Sequence, residues 1–171
     1  VVQATGVNIL GSIARWTDEV LRFTVGTSHA DIEEGVPADY EDTNDPLKRA
    51  LVENGLNAEY APSWYPDGFD ISEIKVNNST AFDKVGCQFS NVDDSFDIQF
   101  FHYKNGNSAD LYAFEKDCES TEEYISNGRR FYLISNAGQQ TATWAEGNVE
   151  IKISGNLSND ILKEIIDSMG G

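Results

Sequence analysis

Between Glu123 and Ser154 three hairpin signals follow one another: Asn127-Gly128, Asn136-Ala137-Gly138 and Glu146-Gly147-Asn148. Asn-Gly and related pairs supply the positive φ that tight antiparallel turns demand. The stretches they separate, Glu123–Ser126, Arg130–Ser135, Thr141–Trp144 and Val149–Ser154, are too short for independent helices and carry Tyr, Phe, Val, Ile and Thr. Segments of that kind can only pair with their neighbours. The same grammar holds upstream, where Phe82–Phe89 and Phe96–Tyr103 alternate on either side of a turn at Asn91–Ser95. Pro66-Asp67-Gly68 turns the chain into Ile71, Ile74 and Val76, and Lys104-Asn105-Gly106-Asn107 turns it into Leu111–Phe114. A mostly antiparallel, curved meander is therefore predicted, in an α+β fold.

The chain ends on a helix with a readable start. Ser158 caps it, Leu157 staples onto Leu162, and Asp160 complements the positive end of the dipole. Ile161, Leu162, Ile165, Ile166 and Met169 form a stripe that needs an apolar surface. The strand Val149, Ile151, Ile153 offers one, so this helix should pack on one face of the sheet, with Glu150, Lys152 and Ser154 on the other. At the opposite end, Ile9, Ile13, Trp16, Val20 and Phe23 recur at intervals of four and three, which predicts an N-terminal amphipathic helix. Its stripe either packs on the sheet, the favoured reading, or serves as a juxtamembrane or partner-binding stalk.

From Thr27 to Asp45 the periodicity disappears and seven acids gather: Asp31, Glu33, Glu34, Asp39, Glu41, Asp42 and Asp45. That composition reads as a solvated linker. Asp42-Thr43-Asn44-Asp45-Pro46 lacks the bend glycine and distal glutamate of a calcium loop, so no metal is expected there. Asp45 then caps a short helix with Pro46 at its first position, Leu47, Ala50 and Leu51 on its buried edge, and Gly55 as its stop. The predicted organisation is residues 1–26 as the N-terminal helix, 27–58 as linker and short helix, and 59–171 as the sheet domain.

Composition narrows the partners. With 12 basic against 29 acidic residues, the net charge of −17 excludes a sequence-independent grip on nucleic acid. No stretch approaches the roughly 20 apolar residues of a membrane span. The start at Val1-Val2-Gln3-Ala4, without Met, points either to a removed signal peptide or membrane anchor or to an arbitrary boundary. Attachment to a membrane would then run only through that missing N-terminal anchor. Cys87 and Cys118 can form a disulfide in an oxidising compartment; alternatively, Cys87, in phase with Val85 and Phe89, is a small core residue.

Chemistry-bearing motifs are missing: there is no HExxH, CxxC, Walker loop, GxGxxG or GxSxG. No catalytic residue, metal or cofactor is expected. His102, in phase with Phe100 at the end of a strand, reads as a satisfied structural histidine. The candidate surface lies elsewhere. Phe96, Ile98 and Phe100 share one parity, and Phe101 and Tyr103 take the other, just as Tyr132 opposes Phe131. Strands apolar on both faces need cover on both. The cover is the N-terminal helix, a loop, a partner or a ligand, and if the chain supplies none, Phe101, Tyr103 and Tyr132 form a ligand or partner surface.

Tyr65-Pro66-Asp67-Gly68-Phe69, and the ending from Thr143-Trp144-Ala145-Glu146-Gly147-Asn148-Val149-Glu150-Ile151-Lys152 to Ile161-Leu162-Lys163-Glu164-Ile165-Ile166, resemble the DUF4367 family over about Tyr60 to Met169. The segment Asn8-Ile9-Leu10-Gly11-Ser12-Ile13-Ala14-Arg15-Trp16-Thr17 is similar to the part that follows a transmembrane helix in many bacterial members. The resemblance implies an extracytoplasmic domain of a single-span bacterial membrane protein, commonly Gram-positive, with an antiparallel sheet and a C-terminal helix. It brings no reaction. The expected function is thus a non-catalytic sensor or interaction domain for an unknown ligand or protein. The rival expectations are a secreted hydrolase using acidic residues and His102, and a purely structural ectodomain.

Overall fold

A computed structural model describes residues 12–16, 20–25, 44–104, 113–115, 120–136 and 138–170. A seven-stranded antiparallel sheet, not closed on itself, dominates it. Its strands are β3 (Asp70–Asn78), β4 (Phe82–Ser90), β5 (Ser95–Tyr103), β7 (Ser120–Ser126), β8 (Arg129–Asn136), β9 (Gln139–Glu146) and β10 (Val149–Gly155), ordered β3-β4-β5-β10-β9-β8-β7. Two meanders are joined where β10 pairs β5, with Ile151 opposite Phe100 and Ile153 opposite Ile98. That junction puts β10 in the middle of the sheet, with β5 on one side and β9 on the other.

Tight turns set the registers. Asn127 and Gly128 adopt φ of 49° and 76° between β7 and β8, the positive-φ pair of a type I′ hairpin. Between β4 and β5 the Asn91 side chain accepts from the Asp93 and Asp94 amides at 2.9 and 2.7 Å, closing the loop as an Asx turn.

The first face of the sheet carries the main core. Val85, Cys87, Phe89, Phe96, Ile98, Phe100, Phe131, Leu133, Ala142, Trp144, Ile151 and Ile153 project there. Two helices cover it. α1 (Pro46–Glu53), capped by Asp45 through the Leu47 and Lys48 amides, buries Leu47 and Leu51 near β3 and β4. α2 (Asn159–Asp167) buries Leu162, Ile165 and Ile166 near β7 and β9, as its stripe predicts. Its far end is tied down, since Pro62 bridges to Met169 and the Ser63 amide donates to the Ser168 carbonyl at 3.1 Å. Ser158 caps α2 by accepting from the Ile161 amide at 3.3 Å. Ser158→Ala is expected to lower the unfolding free energy by about 1 kcal/mol, seen as a lower urea midpoint with an unchanged slope.

The N-terminal helix is corrected to strands. Ser12–Trp16 (β1) and Val20–Val25 (β2) pair antiparallel, from Ser12 opposite Val25 to Trp16 opposite Leu21. Leu21, Phe23 and Val25 alternate at period two, and β-branched and aromatic residues crowd the segment, so pairing outcompetes a helix whose stripe was equally compatible with the spacing. Ala113–Glu115 (β6) joins them, with Leu21 opposite Phe114. The result is a separate three-stranded sheet, β1-β2-β6, in which an N-terminal hairpin pairs with a strand from the middle of the chain. The acidic residues 31–42 of the predicted linker lie outside the described residues.

Candidate functional site

The second face of the large sheet is built by residues of opposite parity to the core. Lys84 on β4, Phe101 on β5, Glu150 on β10 and Ala145 on β9 lie in one cross-strand row. Phe82 and Tyr103 pair beside that row. The rings form a cluster: Phe82 meets Phe101 edge-on at 5.7 Å and Tyr103 at 6.0 Å, while Phe101 and Tyr103 lie 6.2 Å apart, nearly parallel. The Lys84 ammonium sits 5.1 Å over the Phe101 ring.

Of the three residues nominated from the sequence, Phe101 and Tyr103 are thus brought together. Tyr132 shares their face but not their cluster. Opposite Thr143 on β8, it stands three strand spacings from β5, or about 14 Å. All three are buried, at 6, 8 and 7% exposure. Burial raises the Tyr132 hydroxyl above its ordinary value, with Glu123 adding to the shift and Arg130 opposing it.

α2 packs on the first face near β9, and β2 of the small sheet comes close to the same strand without joining its sheet.

Glu150 is the group that sequence reasoning missed. Its place in Val149-Glu150-Ile151-Lys152-Ile153 reads as an ordinary solvent-side residue; only its burial in the folded chain shows that this side is covered. The side chain is 1% exposed. Tyr103 donates its hydroxyl to Glu150 Oε2 at 2.9 Å, while Oε1 has no hydrogen-bond partner. Burial pushes the carboxyl up to about 7, against the opposing pull of the Tyr103 hydrogen bond and of Lys152. A carboxyl of this kind exchanges a proton near neutral pH.

Other candidates fall outside the cluster. The Cys87 thiol is free and 1% exposed in the main core, where burial pushes it up to about 12; Cys118 lies outside the described residues. His102 turns to the first face at the end of β5, where its Nδ1 lies 3.4 Å from the Asn54 carbonyl at the end of α1. Gly55 packs beside it with φ of 74°, and a Cβ there would come within 3.1 Å of the imidazole. Among the described residues no group of three His, Cys, Asp or Glu is arranged to hold a metal ion, and no helix is long and apolar enough to cross a membrane.

The family model for DUF4367, a domain of unknown function, matches residues 59–169, from within the 3-10 turn Ala58–Tyr60 to just past the end of α2. The chain belongs to the DUF4367 family. Every strand of the large sheet lies inside the DUF4367 match, as does the whole of the aromatic cluster and Glu150. Comparison with curated proteins finds no match. Among solved structures, the DUF4367 chain is similar to that of MucB in complex with MucA(peri), at 8% identity and a TM-score of 0.40. That match covers 63% of this chain and 34% of the other, so this chain spans about a third of the length of the structure it matches.

Proposed function

We propose that this DUF4367 chain is a non-catalytic extracytoplasmic interaction domain of a bacterial single-span membrane protein, attached through a membrane anchor upstream of Val1. The second face of the large sheet is the surface that receives its ligand or protein partner. One observation carries the reading: on that face an aromatic cluster of Phe82, Phe101 and Tyr103 lies beside a carboxyl, paired with Phe101 and bonded to Tyr103, whose Oε1 is buried and unpartnered. A surface serving only as core has no use for such a group, because a buried oxygen without a partner costs roughly 1–3 kcal/mol. Its retention is accounted for by a ligand donor that completes it. Phe101, Tyr103 and Tyr132 are buried in the state described, so a partner reaches them only when the chain segment that covers them gives way.

Site-specific photo-crosslinking in the native cells tests the reading. A photoreactive residue at Phe101, Tyr103 or Tyr132 is expected to give a discrete adduct in the membrane fraction, whereas the same residue at exposed Val92 gives none. Equal labelling from Val92, or the full-length protein found only in cytosol, would overturn it.

A further inference from the structure

We propose that β3, at one edge of the large sheet, is a docking edge for a second copy of this chain. Two β3 strands pair antiparallel about a two-fold axis at Ile74 and join the two seven-stranded sheets into one. The proposal concerns the edge of the sheet and stands apart from the partner surface on its second face.

Three observations lead to it. First, the edge is open. β3 is terminal in the strand order, and Ser72, Glu73, Lys75, Val76, Asn77 and Asn78 are all exposed, Val76 at 48%. The Ser79 amide donates to the Phe82 carbonyl at 2.9 Å, which makes these two a hydrogen-bonded pair at the head of the β3–β4 ladder. Hydrogen-bonded and non-hydrogen-bonded pairs alternate along an antiparallel ladder. Counting back from Ser79, Asn77, Lys75 and Glu73 direct their backbone groups to β4, whereas Val76 and Ile74 turn theirs outward. An outward row of this kind is a template for another strand.

Second, the sequence of the edge is complementary to itself. With Ile74 of the two copies opposite each other, both offer outward N–H and C=O groups, so the axis falls on a pair able to exchange two backbone hydrogen bonds. Glu73 then lies opposite the second copy's Lys75, and Lys75 opposite its Glu73. Within one copy Lys75 already meets Glu73 at 2.6 Å. Pairing thus converts two separate ion pairs into a ring of four charges of alternating sign, and opposite charges across a ladder stabilise it. On the other face Ile74 meets Ile74, and half-exposed Val76 gains that apolar neighbour on the diagonal. An axis at Lys75 fails because its backbone groups point to β4, and an axis at Val76 separates Glu73 from Lys75.

Third, the opposite edge of the sheet does not offer this. β7 carries Glu122 and Glu123 in succession, and its side chains are engaged by α2, where Lys163 donates to Glu122 and Tyr124 to Asp167, each at 2.7 Å. Two β7 edges would set acid against acid. A β3 edge docked on a β7 edge would leave one free edge of each kind, so the assembly would propagate instead of closing. Pairing through β3 alone closes at two copies.

Sedimentation velocity of the full chain at physiological ionic strength, over a concentration series up to about 1 mM, is expected to show a reversible monomer–dimer equilibrium and nothing larger. Lys75→Glu gathers four carboxylates at the axis and Glu73→Lys gathers four ammonium groups, so each should weaken the dimer roughly tenfold or more. The two substitutions change net charge in opposite directions, so a loss common to both does not arise from overall repulsion. Combining them should restore the dimer, because each lysine again faces a glutamate across the axis. Both side chains are exposed, and unchanged thermal unfolding of each variant shows that the fold is kept. Hydrogen exchange adds a residue-level readout: the Ile74 amide should gain protection as concentration rises, while the Lys75 amide, bonded to β4, is protected throughout. A chain that stays monomeric across the series, or oligomers that grow beyond two, would overturn the proposal. So would a dimer that the single exchanges leave intact or that the combined exchange fails to restore.

Discussion

Replacing Glu150 with glutamine is expected to stabilise the protein at pH 8.5 and to do nothing comparable at pH 4. In the folded chain burial raises this carboxyl from 4.5 to about 7, so between those values the folded state binds more protons than the unfolded one. Stability therefore falls as pH rises through that window, is flat below it and levels off above it. The difference between the two values corresponds to about 3 kcal/mol, reached in full above pH 7. Glutamine keeps an acceptor for Tyr103 and cannot ionise. Urea titrations of both proteins at each pH measure the effect, and because the other carboxyls titrate in both, the difference isolates Glu150. A wild-type and variant difference that stays constant from pH 4 to 8.5 would show that the carboxyl is hydrated in the native protein.

Gly155→Ala is expected to destabilise the fold by about 3 kcal/mol, as severe overpacking does. Gly155 pairs with Phe96 where β10 meets β5. A Cβ at that position would come within 2.5 Å of the Phe96 Cβ, 2.8 Å of its Cα and 3.0 Å of the Ser95 carbonyl. None of these atoms is the far end of a flexible side chain. Phe96 cannot step aside, because its ring stacks on Phe89 at 4.7 Å and tilts against Phe69 at 5.3 Å. The register of the two meanders must slip or the strands must separate. Thermal unfolding gives the direct measure, and Gly138→Ala provides a contrast: nothing lies within 4 Å of a Cβ there, so its smaller penalty comes from a φ of 80° alone. Equal losses in the two variants would show that the close approach at Gly155 is unimportant.

Tight turns and alternation were legible because they are local. Asn127-Gly128 requires no distant contact to bend the chain, and the capped C-terminal helix carries its start signal and its buried stripe within a few residues. The N-terminal segment failed for the same reason in reverse. Intervals of three and four between Ile13, Trp16, Val20 and Phe23 fit one helix face, yet two short strands place Leu21, Phe23 and Val25 in alternation equally well. Pairing with Ala113–Glu115, nearly a hundred residues away in sequence, is a contact that local periodicity does not contain. Phe101 and Tyr103 could be nominated as a patch because adjacent parity is a local property. That Tyr132 stands apart from them follows from the strand order, in which β10 and β9 intervene.

By itself, then, the order of residues determined the antiparallel class, the hairpins, the two helices that cover the first face and the apolar character of both faces. Each depends on turn chemistry, capping or a period of two, all of which act over a few residues. Tertiary structure decided that β10 lies between β5 and β9, that the N-terminal hairpin joins β6 in a sheet of its own, and that Glu150 is buried on the second face with one oxygen unpartnered. The reason is that a strand residue's parity says which way it points, whereas its solvation depends on what the rest of the chain places above it.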